Sequence, residues 1–451
     1  MQFNKDDYNV EQITLAGETV EIRTFRNRVY VDKPVNREFQ QMNIFAPECY
    51  YHGESINGYN LHTAPIFMPN TVGGYMPGPL AEPEISNWGN AGEPNSIFQA
   101  LRHGYVVAAP AIRGRVQQNE EGIYTGKAPA CIVDYKAAVR YLRYFSKEIP
   151  GDVEKIITSG TSAGGALSSL MGVTGNHPDY EPYLEKIGAA KTGDHIFAAS
   201  CYCPITNLEH ADMAYEWQFV GVNGYCGDKQ LDENQIKVSE ELAKEFPAYA
   251  NSLGLKDECG VDLTLDESGE GPLKEYVKNK VLESAKQAMD RGEDIFSKAW
   301  LNFENGEPVS MDWKGYVRDI TRLKPAPSFD GLLLNTAEND LFGSETVNLR
   351  HFTKYGREHS LCGGEMAAEM QVKLMNPMNY IEDEKAVTAK HFRIRHGECD
   401  RDTSLVISAM LTLKLEEQGK EVDYHLPWGL PHSGDYDLDE LFEWIDGICK
   451  D

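Results

Sequence analysis

Apolar positions along this chain follow one rhythm at both ends and a different one in between. Residues 13–47 carry Val, Ile, Thr and Tyr in strand-like runs over 19–30 and 42–45, with a turn at Ala16-Gly17-Glu18. Further on, short continuous apolar runs at 64–69, 105–112, 156–158 and 197–203 are bounded by Gly and Pro. Such runs suit strands of a parallel sheet covered on both faces. Between them lie helical periods. One is a short helix over 96–103. Another covers 130–147, where Ile132, Tyr135, Val139, Leu142 and Phe145 recur on one face before Pro150-Gly151 stops it. Strand and helix alternating in this way predict an α/β domain.

From about 206 to 389 the rhythm breaks and the chain becomes more polar and more helical. A polar loop is expected over 257–271, a helix over 272–291, and a hairpin over 300–313 turning at Asn305-Gly306. The earlier rhythm then resumes with a strand over 391–396, a helix over 402–418 and a strand over 422–428. Leu438, Leu441, Phe442, Ile445 and Ile448 mark a closing helix. Residues 1–204 and 391–451 are therefore expected to be two parts of one sheet domain, with 205–390 inserted between them.

Composition narrows the function classes. The 41% hydrophobic and 25% charged content is that of a globular protein, and a net charge of −27 repels nucleic acid and anionic lipid. No apolar run approaches the ~18 residues that span a bilayer. The first residues, MQFNKDDYNVEQ, lack a basic segment followed by an apolar one, so a cytoplasmic location is expected. The nine cysteines have no repeating spacing and read as buried or free thiols. Cys201 and Cys203 fall in an expected strand with no second Cys/His pair at zinc spacing, so neither a metal nor another cofactor is expected.

The chemistry gathers at 155–173, KIITSGTSAGGALSSLMGV. A β-branched run meets Gly160-Thr161-Ser162-Ala163-Gly164 and then a segment opening with small residues. This is the strand–turn–helix setting of a nucleophile elbow, with Ser162 at the carboxyl end of the sheet. Glycine there permits unusual backbone angles and close packing of strand on helix. In hydrolases of this kind the partners follow in the order serine, acid, histidine. The two strands after the insertion each end in a candidate: Asp400, in Gly397-Glu-Cys-Asp-Arg-Asp402, and His432, in Gly429-Leu-Pro-His. Asp400 is chosen over Glu398 and Asp402, the latter standing at a helix start where Asp is a favoured N-cap. His396 is the rival base, though it falls where the acid belongs. The oxyanion hole is assigned to the N–H of Ala163 and to the Val72-Gly73-Gly74 loop, with Gly74 favoured.

GTSAGG, MPNTVGGYMPGP, YCPITNLEHADMAYEWQF, FRIRHGECDRDTS and LPHSGDYDL together resemble the bacterial tannases of the Lactobacillus type, in the same order and over nearly the whole chain. The resemblance implies an α/β-hydrolase fold with a large inserted lid domain. It also implies a serine esterase that cleaves galloyl esters, with Ser162, Asp400 and His432 as its triad. It further implies that Lys324, Glu338 and Asp402 recognise the galloyl hydroxyls and that Ile205 touches the ring. Two carboxylates that accept and an ammonium that donates suit adjacent phenolic hydroxyls. The implied partner is a small polyphenol ester.

The chain departs from the family in carrying Ala337 in place of a proline and Cys399 in place of a small residue. Thr161 and Ser433 stand where fungal tannases and feruloyl esterases carry cysteines, which excludes that subgroup. A feruloyl or general carboxylesterase on the same scaffold is the nearest alternative. A non-catalytic binding protein is a distant one, because no triad member is missing.

Overall fold

In a computed structural model, which describes residues 1–450, nine strands form one large sheet. In chain order they are β1 (Asn9–Leu15), β2 (Glu18–Val29), β3 (Gln41–Pro47), β4 (Pro65–Pro69), β5 (Val106–Pro110), β6 (Asp152–Thr161), β7 (Ala198–Tyr202), β8 (His391–Arg395) and β9 (Glu421–His425). Their order in space is β1-β2-β3-β5-β4-β6-β7-β8-β9. The first three pairings are antiparallel and the rest parallel. The exposed hairpin β1/β2 shows alternating burial, while β5 and β7 are buried throughout because helices cover both faces.

Register decides where the loops meet. Thr161 of β6 pairs with Tyr202 of β7, Tyr202 with Arg395 of β8, and Arg395 with His425 of β9. The chain therefore leaves all four strands at one level, and their following loops share one edge. The expected helix over 130–147 runs as Ala130–Tyr144 and is not amphipathic in its surroundings. Its polar residues are buried and paired instead: Asp134 with Arg113, and Lys136 and Arg140 with Asp194.

The hairpin over 300–313 forms from Leu301–Glu304 and Glu307–Met311, with positive φ at both Asn305 and Gly306. None of the strands between β7 and β8 joins the large sheet. Residues 205–390 nevertheless contribute Tyr215, Phe246, Trp300 and Tyr316 to the same buried apolar cluster as Ile156 and Ile394 of the sheet. Helices Glu233–Ser252 and Pro272–Asp290 are the longest in this segment. No helix among the described residues is long and apolar enough to cross a membrane.

Candidate active site

Ser162 stands between β6 and the fully buried helix Ala163–Val173, with φ 61° and ψ −121°. That backbone is costly for a residue with a Cβ, roughly 1–3 kcal/mol. Three bonds hold it there: Ser162 N–H donates to Tyr202 O at 2.9 Å, and Ser162 O accepts from Ala166 N at 2.9 Å and Ile205 N at 3.1 Å. The unusual angles expected of the glycines fall instead on the serine, since neither Gly160 nor Gly164 has positive φ. Those glycines serve close approach: a Cβ at either would run into Asn70. The same Asn70 binds the carbonyls of Ser159 and Gly164, tying strand to helix.

Asp400 is wholly buried in the loop after β8, and His432 Nδ1 lies 2.8 Å from its Oδ2. The other oxygen, Oδ1, accepts from the backbone N–H of Asp402 at 2.7 Å. Burial alone would raise the Asp400 pKa, but the histidines His432 and His396 hold it far below the usual carboxylate range. For His432, burial would lower the pKa; the charge and hydrogen bond of Asp400 outweigh it and leave the net shift upward. Cys203, at the end of β7, donates its thiol to Ser433 O at 3.2 Å and braces the His432 loop.

The rivals fall elsewhere. His396 is buried, with Nδ1 on Ser408 Oγ at 2.7 Å and Nε2 3.2 Å from Asp400, behind the acid rather than facing a cavity. Glu398 accepts from the thiol of Cys399 at 2.9 Å and from Gly429 N at 3.3 Å, away from His432. Asp402 is not the helix cap either. The helix begins at Leu405, and Ser404 caps it.

One cavity of about 340 Å³ brings the remaining candidates together: Gly74, Ser162, Ala163, Ile205, Lys324, Glu338 and Asp402 all line it. Gly74 has φ +52°, and the Gly73 carbonyl accepts from Met76 N at 2.9 Å. A trans peptide points its N–H opposite to its C=O, so the Gly74 N–H faces away from Met76.

Lys324 Nζ donates to Asp402 O at 2.8 Å, lies 3.5 Å from its carboxylate, and sits 4.2 Å from the Phe329 ring centroid. Tyr215 fixes both loops, accepting from Leu323 N and Lys324 N while donating to Arg401 O. Asp212 accepts the N–H groups of Ser328, Phe329 and Asp330 at 2.6–2.8 Å, which shapes the adjoining wall. Burial pushes the Glu338 pKa up, against the pull of Lys324 and Arg115.

Sequence reasoning missed Tyr75, Ser328 and Thr336, which line the same cavity. Tyr75 directly follows the predicted glycines and binds Ile205 O at 2.8 Å, so its neighbourhood was a signal. Ser328 and Thr336 lie in a segment without periodicity and had none. Ala337 lines the cavity as well.

Solved structures share this fold over nearly the full length. A tannin acyl hydrolase in complex with 3,4-dihydroxybenzoate is 46% identical, with TM-score 0.96 over 99% of this chain and 98% of that one. The Lactobacillus plantarum tannin acyl hydrolase is 45% identical, with TM-score 0.95 over 99% and 98%. This chain belongs to the bacterial tannase family. Fusobacterium nucleatum tannase is 44% identical, with TM-score 0.95 over 99% of both chains. The BD-FAE family matches residues 89–225 of this tannase-family chain, a span that includes Ser162. A comparison with curated proteins gives no match. The fold is accordingly that of an α/β-hydrolase, and the family is one of carboxylic ester hydrolases.

Proposed function

We propose that this protein hydrolyses galloyl and protocatechuoyl esters through an acyl-enzyme, with Ser162, His432 and Asp400 as its triad. The observation that carries the reading is the cavity that Ser162 lines together with Lys324, Glu338 and Asp402, two of which, Asp402 and Lys324, act electrostatically on the His432 ring that is bonded to Asp400. His432 takes the proton of Ser162 as the oxygen attacks the ester carbonyl, and Asp400 holds the imidazole with its Nδ1–H toward the carboxylate. The N–H groups of Ala163 and Gly74 receive the oxyanion. The alcohol leaves with the proton from His432; water activated by the same imidazole then releases the acid.

The ring hydroxyls account for the rest of the cavity. Glu338 and Asp402 accept their hydrogens, Lys324 donates to a phenolic oxygen, and Ile205 meets the ring face. Two similar structures support the substrate class, being complexes of tannin acyl hydrolases with 3,4-dihydroxybenzoate and with ethyl gallate. Residues 205–390 act in this reading as the lid that carries substrate choice, inserted between core segments 1–204 and 391–451.

The test compares methyl gallate, methyl protocatechuate, methyl ferulate and p-nitrophenyl butyrate with wild type and Ser162→Ala. Gallate and protocatechuate should dominate, and Ser162→Ala should lose turnover of all four. Equal turnover of ferulate or butyrate would refute the substrate assignment. Retention of more than about a hundredth of the activity by Ser162→Ala would refute the nucleophile, whose loss should cost far more.

A further inference from the structure

Two walls of the cavity are joined by a cation that takes no part in the chemistry above. Gly74 and Tyr75 form the wall assigned to the oxyanion; Ala337 and Glu338 form the wall assigned to the ring hydroxyls. Arg115, in the loop after β5, reaches both. Its backbone N–H donates to Tyr75 O at 2.9 Å, and its Nε donates to Gly74 O at 2.9 Å. Its Nη1 binds Asp340 Oδ2, and the other Asp340 oxygen takes Lys127 Nζ. Lys127 is fixed in turn by Asn348 Oδ1 at 2.7 Å.

Asp340 and Glu338 share the single helical turn Ala337–Leu341, closed at its start by the reciprocal Thr336–Asn339 cap. Asn339 Nδ2 binds Asp330 Oδ1 at 2.7 Å, and Leu341 O accepts from Ala128 N at 2.9 Å. The turn is thus held as one piece, so a displacement of the Glu338 backbone is passed to Asp340. The guanidinium carries it on to the Gly74 carbonyl. A planar fork suits this task because one rigid group meets a carboxylate and a carbonyl at once, which a lysine ammonium on a flexible stem does not.

We propose that Arg115, anchored by Asp340, is a positioning residue that couples engagement of the ring hydroxyls at Glu338 to the alignment of the oxyanion loop at Gly74. The coupling rests on the galloyl-ester reading and adds a consequence to it. Hydroxyls bound remotely from the ester raise turnover as well as affinity, because part of their binding energy sets the loop that meets the transition state.

The experiment is a double-mutant cycle of Arg115→Lys and Glu338→Gln. It measures kcat and KM on methyl gallate and on methyl benzoate, which lacks the hydroxyls. Arg115→Lys should lower kcat on methyl gallate about tenfold, the worth of one charge-assisted hydrogen bond, with KM changed less than about twofold. On methyl benzoate, and on methyl gallate in the Glu338→Gln background, its effect should shrink to under about threefold. Asp340→Asn breaks the link from the other end and should give the same kcat deficit, with both variants checked for cooperative thermal unfolding. Additive effects in the cycle, equal losses on both esters, or a loss confined to KM would overturn the coupling and leave the substrate reading standing. A Glu338→Gln enzyme whose preference for gallate over benzoate is unchanged would overturn both.

Discussion

Replacing Asp400 by Asn probes the proposed triad more sharply than deleting the acid, because the hydrogen bonds around it dictate how the amide must sit. Asp400 Oδ1 accepts the backbone N–H of Asp402 at 2.7 Å, and that N–H can only donate. An asparagine keeps this bond by leaving its oxygen there, which turns its NH₂ toward His432, where Oδ2 now lies 2.8 Å from Nδ1. The imidazole then accepts at Nδ1 and carries its proton on Nε2. In the proposed mechanism it then meets the Ser162 hydroxyl as a donor and cannot act as its base. In serine proteases the same exchange lowers kcat by about 10⁴, or about 5.4 kcal/mol of transition-state stabilisation. A loss of that order is expected here.

A second readout has a definite sign. The Asp400 carboxylate favours imidazolium and outweighs burial, so the His432 pKa lies above its ordinary value. With His432 as the proposed base, activity requires the neutral ring; the acid limb of kcat/KM should therefore lie above about pH 6.5 in the wild type. Loss of the negative charge should move that limb to lower pH in the residual activity of Asp400→Asn. Rates on methyl gallate between about pH 5 and 9 measure both effects. A loss smaller than about tenfold, or an acid limb that stays or rises, would refute the assignment of Asp400 as the orienting acid.

Three further predictions concern strain, recognition and the buried charges. Ser162→Gly should unfold at higher urea than Ser162→Ala, because glycine relieves the φ of 61° that costs roughly 1–3 kcal/mol, and equal midpoints would show that no strain is held there. Since burial raises the Glu338 pKa, acidification should protonate it and remove an acceptor. KM for methyl gallate should rise as pH falls toward the carboxyl range while KM for methyl benzoate stays flat, and parallel profiles would argue against contact between Glu338 and the ring. Asp194→Ala should cost about 3–5 kcal/mol by urea unfolding, because it strands the fully buried Lys136. Burial would raise the Asp194 pKa, but Lys136 and Arg140 hold it down. Its stabilisation is therefore present above the ordinary carboxyl range and lost as pH falls through the depressed value. A destabilisation independent of pH would refute that account.

The elements of the sheet domain, the elbow at Ser162 and the two strand ends bearing Asp400 and His432 were legible along the chain. Each rests on local chemistry: continuous apolar runs make covered strands, and a parallel sheet gathers its functional loops at one edge. Resemblance to a family added Lys324 and Glu338, which local rules treat as solvated charges, and Asp402, which they treat as a helix cap. Where each of these groups stands was decided only in three dimensions. Asp402 faces the cavity because Ser404 takes the cap, and His396 stands behind Asp400 because strand register buries it there. The Lys136–Asp194 and Arg113–Asp134 pairs are buried, so a helix face that reads as solvated is covered. Arg115 offers no pattern at all in sequence, since its partners Gly74 and Asp340 lie 41 and 225 positions away. Periodicity reports which face of an element is apolar; contacts across such separations exist only once the chain has folded.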